Sequence, residues 1–163
     1  MSVFDSFLEI AGNLGFIVGD SDRRRERTRK EKRSWGKEQD GLAISVAASS
    51  LEAKQDETLR IEVALRNSGT AERKFMVGNW LRFFKLDISG PSGSPVALTT
   101  FGRVQLEAAK NAPELPMILK PGQVMEADFP VSVLYQLKEQ GEYTVVGKSI
   151  ANGAISNELK IRI

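Results

Sequence analysis

The chain of 163 residues contains no cysteine and no histidine. The missing cysteines exclude disulfides, thiolate metal sites and thiol nucleophiles. They leave the redox compartment open, because a cysteine-free protein is indifferent to it. The missing histidines remove the side chain most often used for acid–base catalysis near neutral pH. Neither charge sign dominates: 23 Lys and Arg against 21 Asp and Glu leave a net charge of +2, too little for a global pull towards nucleic acid. No Gly-x-x-x-x-Gly-Lys-Ser/Thr phosphate loop occurs; Gly90-Pro91-Ser92-Gly93 lacks the lysine and hydroxyl. Asp20-Ser21-Asp22 runs into arginines, so it is no calcium loop. With no histidine, a Ser or Thr nucleophile would depend on lysine as its base, and no supporting motif is present. The expectation is a non-enzyme with no cofactor, no metal and no small-molecule substrate.

What the chain does contain is unevenly spread. Residues 1–19 form a strongly apolar stretch. Wound as a helix, Ser2, Asp5, Ser6, Glu9 and Asn13 share one narrow polar arc, and apolar residues cover most of the rest. Such a helix is unstable alone in water and needs a surface to dock on. Phe4, Phe7, Leu8, Ala11, Leu14 and Val18 are the expected partner-binding residues. The following segment, 20–40, is a basic linker. It carries eight Arg and Lys between Asp22 and Arg33, and Arg23, Arg24, Arg25, Arg27 and Arg29 are the expected basic contacts. A cleavable signal peptide needs its positive charge before the apolar run, and here it comes after. A membrane span needs about 20 nearly uncharged residues, and Asp5 and Glu9 interrupt this one. The expected partners are therefore a larger protein complex or an anionic membrane surface, with the chain's own globular part as the third possibility. A membrane-bound arm would place its basic run on the cytoplasmic side. Nucleic acid is not expected, because no aromatic residues interleave with the arginines.

From residue 41 to 163 the pattern is all-β. Leu42, Ile44 and Val46 alternate, and Leu59, Ile61, Val63 and Leu65 alternate with polar neighbours. Further strands are predicted at Lys74–Gly78, around Phe84–Ile88, at Val96–Phe101, over Val124–Phe129, from Tyr143 to Ile150, and over the closing Leu159–Ile163. In Val124–Phe129, Met125, Ala127 and Phe129 are the expected core set, and Glu126 and Asp128 are read as the solvent face rather than a catalytic pair. Pro121-Gly122 is a type II turn signal. Trp35, just ahead of the first strand, is expected to cap one end of the core. Residues 102–118 lose alternation: Val104–Lys110 fits either a helical turn or a ragged strand, and Pro113 and Pro116 exclude a regular central strand there.

Leu137-x-x-x-Gly141-x-Tyr143-x-Val145 resembles the tyrosine corner of immunoglobulin-like domains, with Val145 where a disulfide cysteine would stand. Leu65-Arg66-Asn67, Leu119-Lys120-Pro121-Gly122, Tyr135-Gln136-Leu137, Gly141-Glu142-Tyr143-Thr144-Val145 and Ser156-Asn157-Glu158-Leu159-Lys160-Ile161 together resemble bacterial immunoglobulin-like modules over residues 35–163. The resemblance implies an antiparallel β-sandwich of seven to eight strands, non-catalytic and appended to a larger assembly. The intracellular proteinase inhibitors of bacilli are similar in outline, which implies a second possibility: inhibition through an exposed loop such as 90–95 or 102–118.

Overall fold

A computed structural model describes residues 33–54 and 57–163; the expected docking residues Phe4 to Val18 and the basic contacts Arg23 to Arg29 lie outside the described residues. Residues 34–163 make one compact unit. Its strands are β1 (Leu42–Ala48), β2 (Arg60–Asn67), β3 (Arg73–Val77), β4 (Phe84–Ser89), β5 (Leu115–Leu119), β6 (Val124–Pro130), β7 (Glu142–Ser149) and β8 (Ile155–Arg162). Three helical segments punctuate them: α1 (Trp80–Phe83), α2 (Thr100–Lys110) and α3 (Val131–Leu134).

The strands pair antiparallel in three sheets, ordered β1-β2-β6, β4-β7-β8 and β3-β5. Period-2 patterning decides what faces inward. Leu59, Ile61, Val63 and Leu65 are all buried, as are Met125, Ala127 and Phe129 opposite them. Phe84, Leu86 and Ile88 from β4 and Tyr143 and Val145 from β7 join the same apolar core. β1 departs from alternation, with Ala43 and Ser45 buried as well as Leu42, Ile44 and Val46.

Polar side chains tie the sheets at defined points. Asn67, fully buried at the end of β2, donates to the carbonyls of Ala71 (2.8 Å) and Leu119 (2.9 Å) and accepts from Gly69 N–H (3.0 Å). Its own backbone N–H and C=O bond Gln123 and Gly122 in the Pro121-Gly122 turn, where Gly122 has φ +76° as a type II turn requires. The Leu-Arg-Asn and Pro-Gly sequences, far apart in the chain, thus meet at one joint. Asn157 on β8 clasps Val46 on β1, accepting its N–H (2.9 Å) and donating to its carbonyl (3.1 Å). Ser156 Oγ accepts the Gly147 N–H (2.8 Å), where the β7–β8 register shifts. These bonds satisfy backbone groups that the ladders leave over.

Tyr143 is buried, and its hydroxyl donates to the Glu139 carbonyl (2.7 Å) and accepts the Glu139 N–H (2.9 Å). This is the return bond to upstream backbone that the corner motif predicts. Three expectations need correction. Val96–Phe101 is not a strand: it runs as extended coil with isolated bridges Ser89–Pro95 and Leu98–Tyr135, then enters α2. Residues 102–118 are not an irregular loop but most of α2 plus β5, and Pro116 sits in β5 because that strand pairs on one side only, with β3. Trp35 lies outside the core cluster; it is half-buried, with the Arg66 guanidinium 4.4 Å from its ring centre.

Candidate functional site

Two surface features stand out among the described residues. The first is the β3–β5 ribbon. Along β3, Phe75 and Val77 turn towards the core side while Lys74 and Met76 turn to solvent. The register places Ile118 opposite Lys74 and Pro116 opposite Met76, so the outer face of the ribbon is largely apolar. On that face Met76 is 54% exposed and Ile118 51%; Leu115, at the end of the opposite face beside Val77, is exposed as well. At one end the face meets a notch of about 310 Å³, lined by Met76, Phe83, Ile150 and Ala151 and by the ion-paired Arg82 and Glu114 (3.0 Å). Ile150 is itself 61% exposed. Underneath, Phe75, Trp80, Phe83 and Phe84 pack ring against ring, with centroids 4.9–6.0 Å apart. That cluster gives the ribbon a rigid base. An apolar centre with a charged rim is the composition of a protein-contact surface.

The second feature is a cleft of about 580 Å³ beside β4, the outer strand of its sheet. Leu86, Ile88, Phe129 and Leu134 make its apolar floor, with Pro95 to Leu98 on one side and α2 on the other. The sequence positions α2 closely. Thr99 caps it, its hydroxyl accepting the Gly102 N–H (2.9 Å) and donating to Val133 C=O (2.8 Å). Gly102 lets the helix lie against α3, for a Cβ there would collide with the Leu134 carbonyl oxygen. Tyr135 closes the cleft, its hydroxyl donating to Leu86 C=O (3.2 Å).

The charged groups of this cleft are fixed ones. Asp87 pairs with Lys148 (2.6 Å) and Lys85 (3.1 Å). The hydrogen bond from Lys148, with Lys85 assisting, holds its carboxyl below the usual carboxylate value against the opposing effect of burial. Burial, and then the Asp87 charge, push the Tyr135 phenol up to about 12. At neutral pH the pair is a paired anion and a neutral phenol. No group of three or more acidic residues able to hold a metal occurs among the described residues. Asp128 pairs with Arg60 (2.5 Å) at the surface of the β2–β6 pair, whereas Glu126, expected on the solvent face, is half-buried. No described helix is long and apolar enough to cross a membrane.

Of the two predicted loops, Pro91–Pro95 is an exposed turn pinned by Gly90 N–H to Ser94 C=O (2.9 Å). The ribbon and the β4 cleft overlap the expected loops 90–95 and 102–118 only in part, through Leu115 to Ile118 and through Pro95, Gly102 and Leu106. The ribbon signal was present as the apolar runs Phe75-Met76-Val77, read as part of a strand, and Leu115–Leu119, read as irregular because of its prolines.

No protein-family model matches the chain, and no curated protein matches it. Among solved structures it is similar to the β-glucosidase EmGH1 of Erythrobacter marinus, at 15% identity and a TM-score of 0.41 over 74% of this chain and 15% of that one. It is similar to β-glucosidase 3B of Thermotoga neapolitana at 17% identity and a TM-score of 0.35, over 80% of this chain and 16% of that one. The β-D-glucoside glucohydrolase of Trichoderma reesei gives 13% and 0.33, over 91% of this chain and 24% of that one. The chain thus spans between 15% and 24% of the length of these enzymes, and likeness of this grade carries no functional information.

Proposed function

We propose that the chain is a non-catalytic accessory subunit whose β-sandwich makes protein–protein contacts, tethered by its N-terminal arm to a larger complex or to an anionic membrane surface. The observation that carries this reading is the outer face of the β3–β5 ribbon. It holds Met76 and Ile118 in solvent on a rigid aromatic base. Exposing that much apolar surface is unfavourable unless a partner covers it. The finer reading of the fold as immunoglobulin-like is supported by two three-stranded sheets that share one core and by the bond from Tyr143 to Glu139. The tether rests on the sequence of residues 1–33, apolar first and basic second.

Deleting residues 1–33 separates the two contributions. The shortened chain is expected to leave the membrane or high-mass fraction of a native extract and to keep its thermal unfolding temperature. If it still fractionates with that material, the tether is wrong. The double substitution Met76→Asp and Ile118→Asp is the matching test of the ribbon. Both positions face solvent, so the fold should persist while the partner contact is lost.

A further inference from the structure

The outer side of β4, bridged to Pro95 at Ser89 and open to the cleft before it, carries an unusual set of backbone groups. Its ladder with β7 pairs Lys85 with Lys148 and Asp87 with Val146, and the peptide groups of Leu86 and Ile88 point away from β7 into the cleft. Both outward carbonyls already hold a donor: Leu86 C=O accepts from the Tyr135 hydroxyl and Ile88 C=O from Val96 N–H (2.8 Å). The N–H groups of Leu86 and Ile88 have no hydrogen-bond partner among the described residues. Both residues are almost wholly buried, 5% and 4% exposed, where an unmatched N–H is costly. The edge therefore offers donors alone, two residues apart.

We propose that this cleft binds a short extended peptide segment containing proline, which accepts the Leu86 and Ile88 N–H groups with its own carbonyls. The spacing selects the class of ligand. Alternate residues along a strand are about 6.8 Å apart, the repeat of alternate carbonyls in an extended chain and far more than the span of one carboxylate. An ordinary strand would bring N–H groups of its own, and the Tyr135 hydroxyl and Val96 N–H already occupy the carbonyls that would receive them. Proline brings a carbonyl and no N–H, so it loses nothing there. Extended proline-rich chains are also pre-ordered, and they dock in grooves lined by aromatic and apolar groups. Phe84, Phe129, Tyr135 and Pro95 line this one.

The test is an amide NMR titration of the full chain with a short peptide of alternating proline and leucine, beside the same peptide with alanine for proline. The expected result is saturable movement of the Leu86 and Ile88 amide protons to lower field, with the alanine peptide binding roughly ten-fold more weakly or worse. Leu106→Trp, which fills the cleft from α2 without altering β4, should abolish the shifts and leave the melting temperature near that of the parent. Equal binding of the two peptides, shifts centred away from β4, or no saturable shift would each overturn the proposal.

Discussion

Replacing Tyr143 by Phe removes one oxygen and leaves the buried ring in place, so it isolates what the corner contributes. The hydroxyl makes two hydrogen bonds, both to the backbone of Glu139. A typical intramolecular hydrogen bond contributes about 1 kcal/mol net. Glu139 is exposed, so its N–H and C=O return to water when the hydroxyl goes, and no burial penalty is added. The expected loss is about 1–2 kcal/mol. For a folded unit of this size that lowers the melting temperature by about 4–7 °C. Urea unfolding is the assay, with an unchanged m-value as the sign that the native and unfolded states keep their compactness. Tyr143→Ala is the companion variant. It also empties a fully buried ring site and should lose about 3–5 kcal/mol. A Tyr143→Phe loss no greater than the about 0.5 kcal/mol of an ordinary surface substitution would refute the reasoning. The corner would then be packing alone, and its hydrogen bonds incidental.

Other predictions follow from the same geometry. Gly102→Ala forces a Cβ into the Leu134 carbonyl; it should destabilise by more than about 2 kcal/mol and loosen α2, read as faster amide exchange over residues 100–110. Asn67→Ala strips three side-chain hydrogen bonds from a buried joint and leaves the Leu119 carbonyl without its donor, so about 2–4 kcal/mol should be lost in urea unfolding. Asp87 has a folded-state value below 3.8, so the stability it contributes is present above that pH and is lost as the pH falls through the lower folded value. Asp87→Asn should therefore flatten the acid limb of a stability–pH curve, and an unchanged limb would contradict the assignment.

The sequence read well where the determinants are local. Alternation placed Leu59–Leu65 and Met125–Phe129 correctly because each strand has one face on the core. Pro121-Gly122 and Tyr143 read correctly because a turn and its neighbouring hydrogen bonds involve only nearby residues. Helix α2 was read only as one of two alternatives, a helical turn over Val104–Lys110, although its signals were present. Thr99 is a good cap, and Gln105 to Lys110 are mostly strong helix formers. The two proline residues that follow drew the reading towards a loop. The reverse error fell on Val96–Phe101, whose apolar residues pack against β4 and Tyr135 without joining a ladder. The ribbon face was illegible for a different reason. An apolar run is read as buried unless something says that a second layer is missing, and that depends on where the other sheets lie. The β4 cleft draws on residues from Leu81 to Tyr135, and no pattern along the chain brings them together.

The claim that this chain works by protein contact is tested most directly by sedimentation in a native extract of the cells that make it. The parent chain should run in a particle well above its own 18.0 kDa, and, the arm and the ribbon both being needed to hold it there, the Met76→Asp, Ile118→Asp chain should run as the free subunit with its unfolding temperature intact. If both run at the size of the free subunit, or both stay in the particle, the ribbon is not the contact surface and the account fails at its centre.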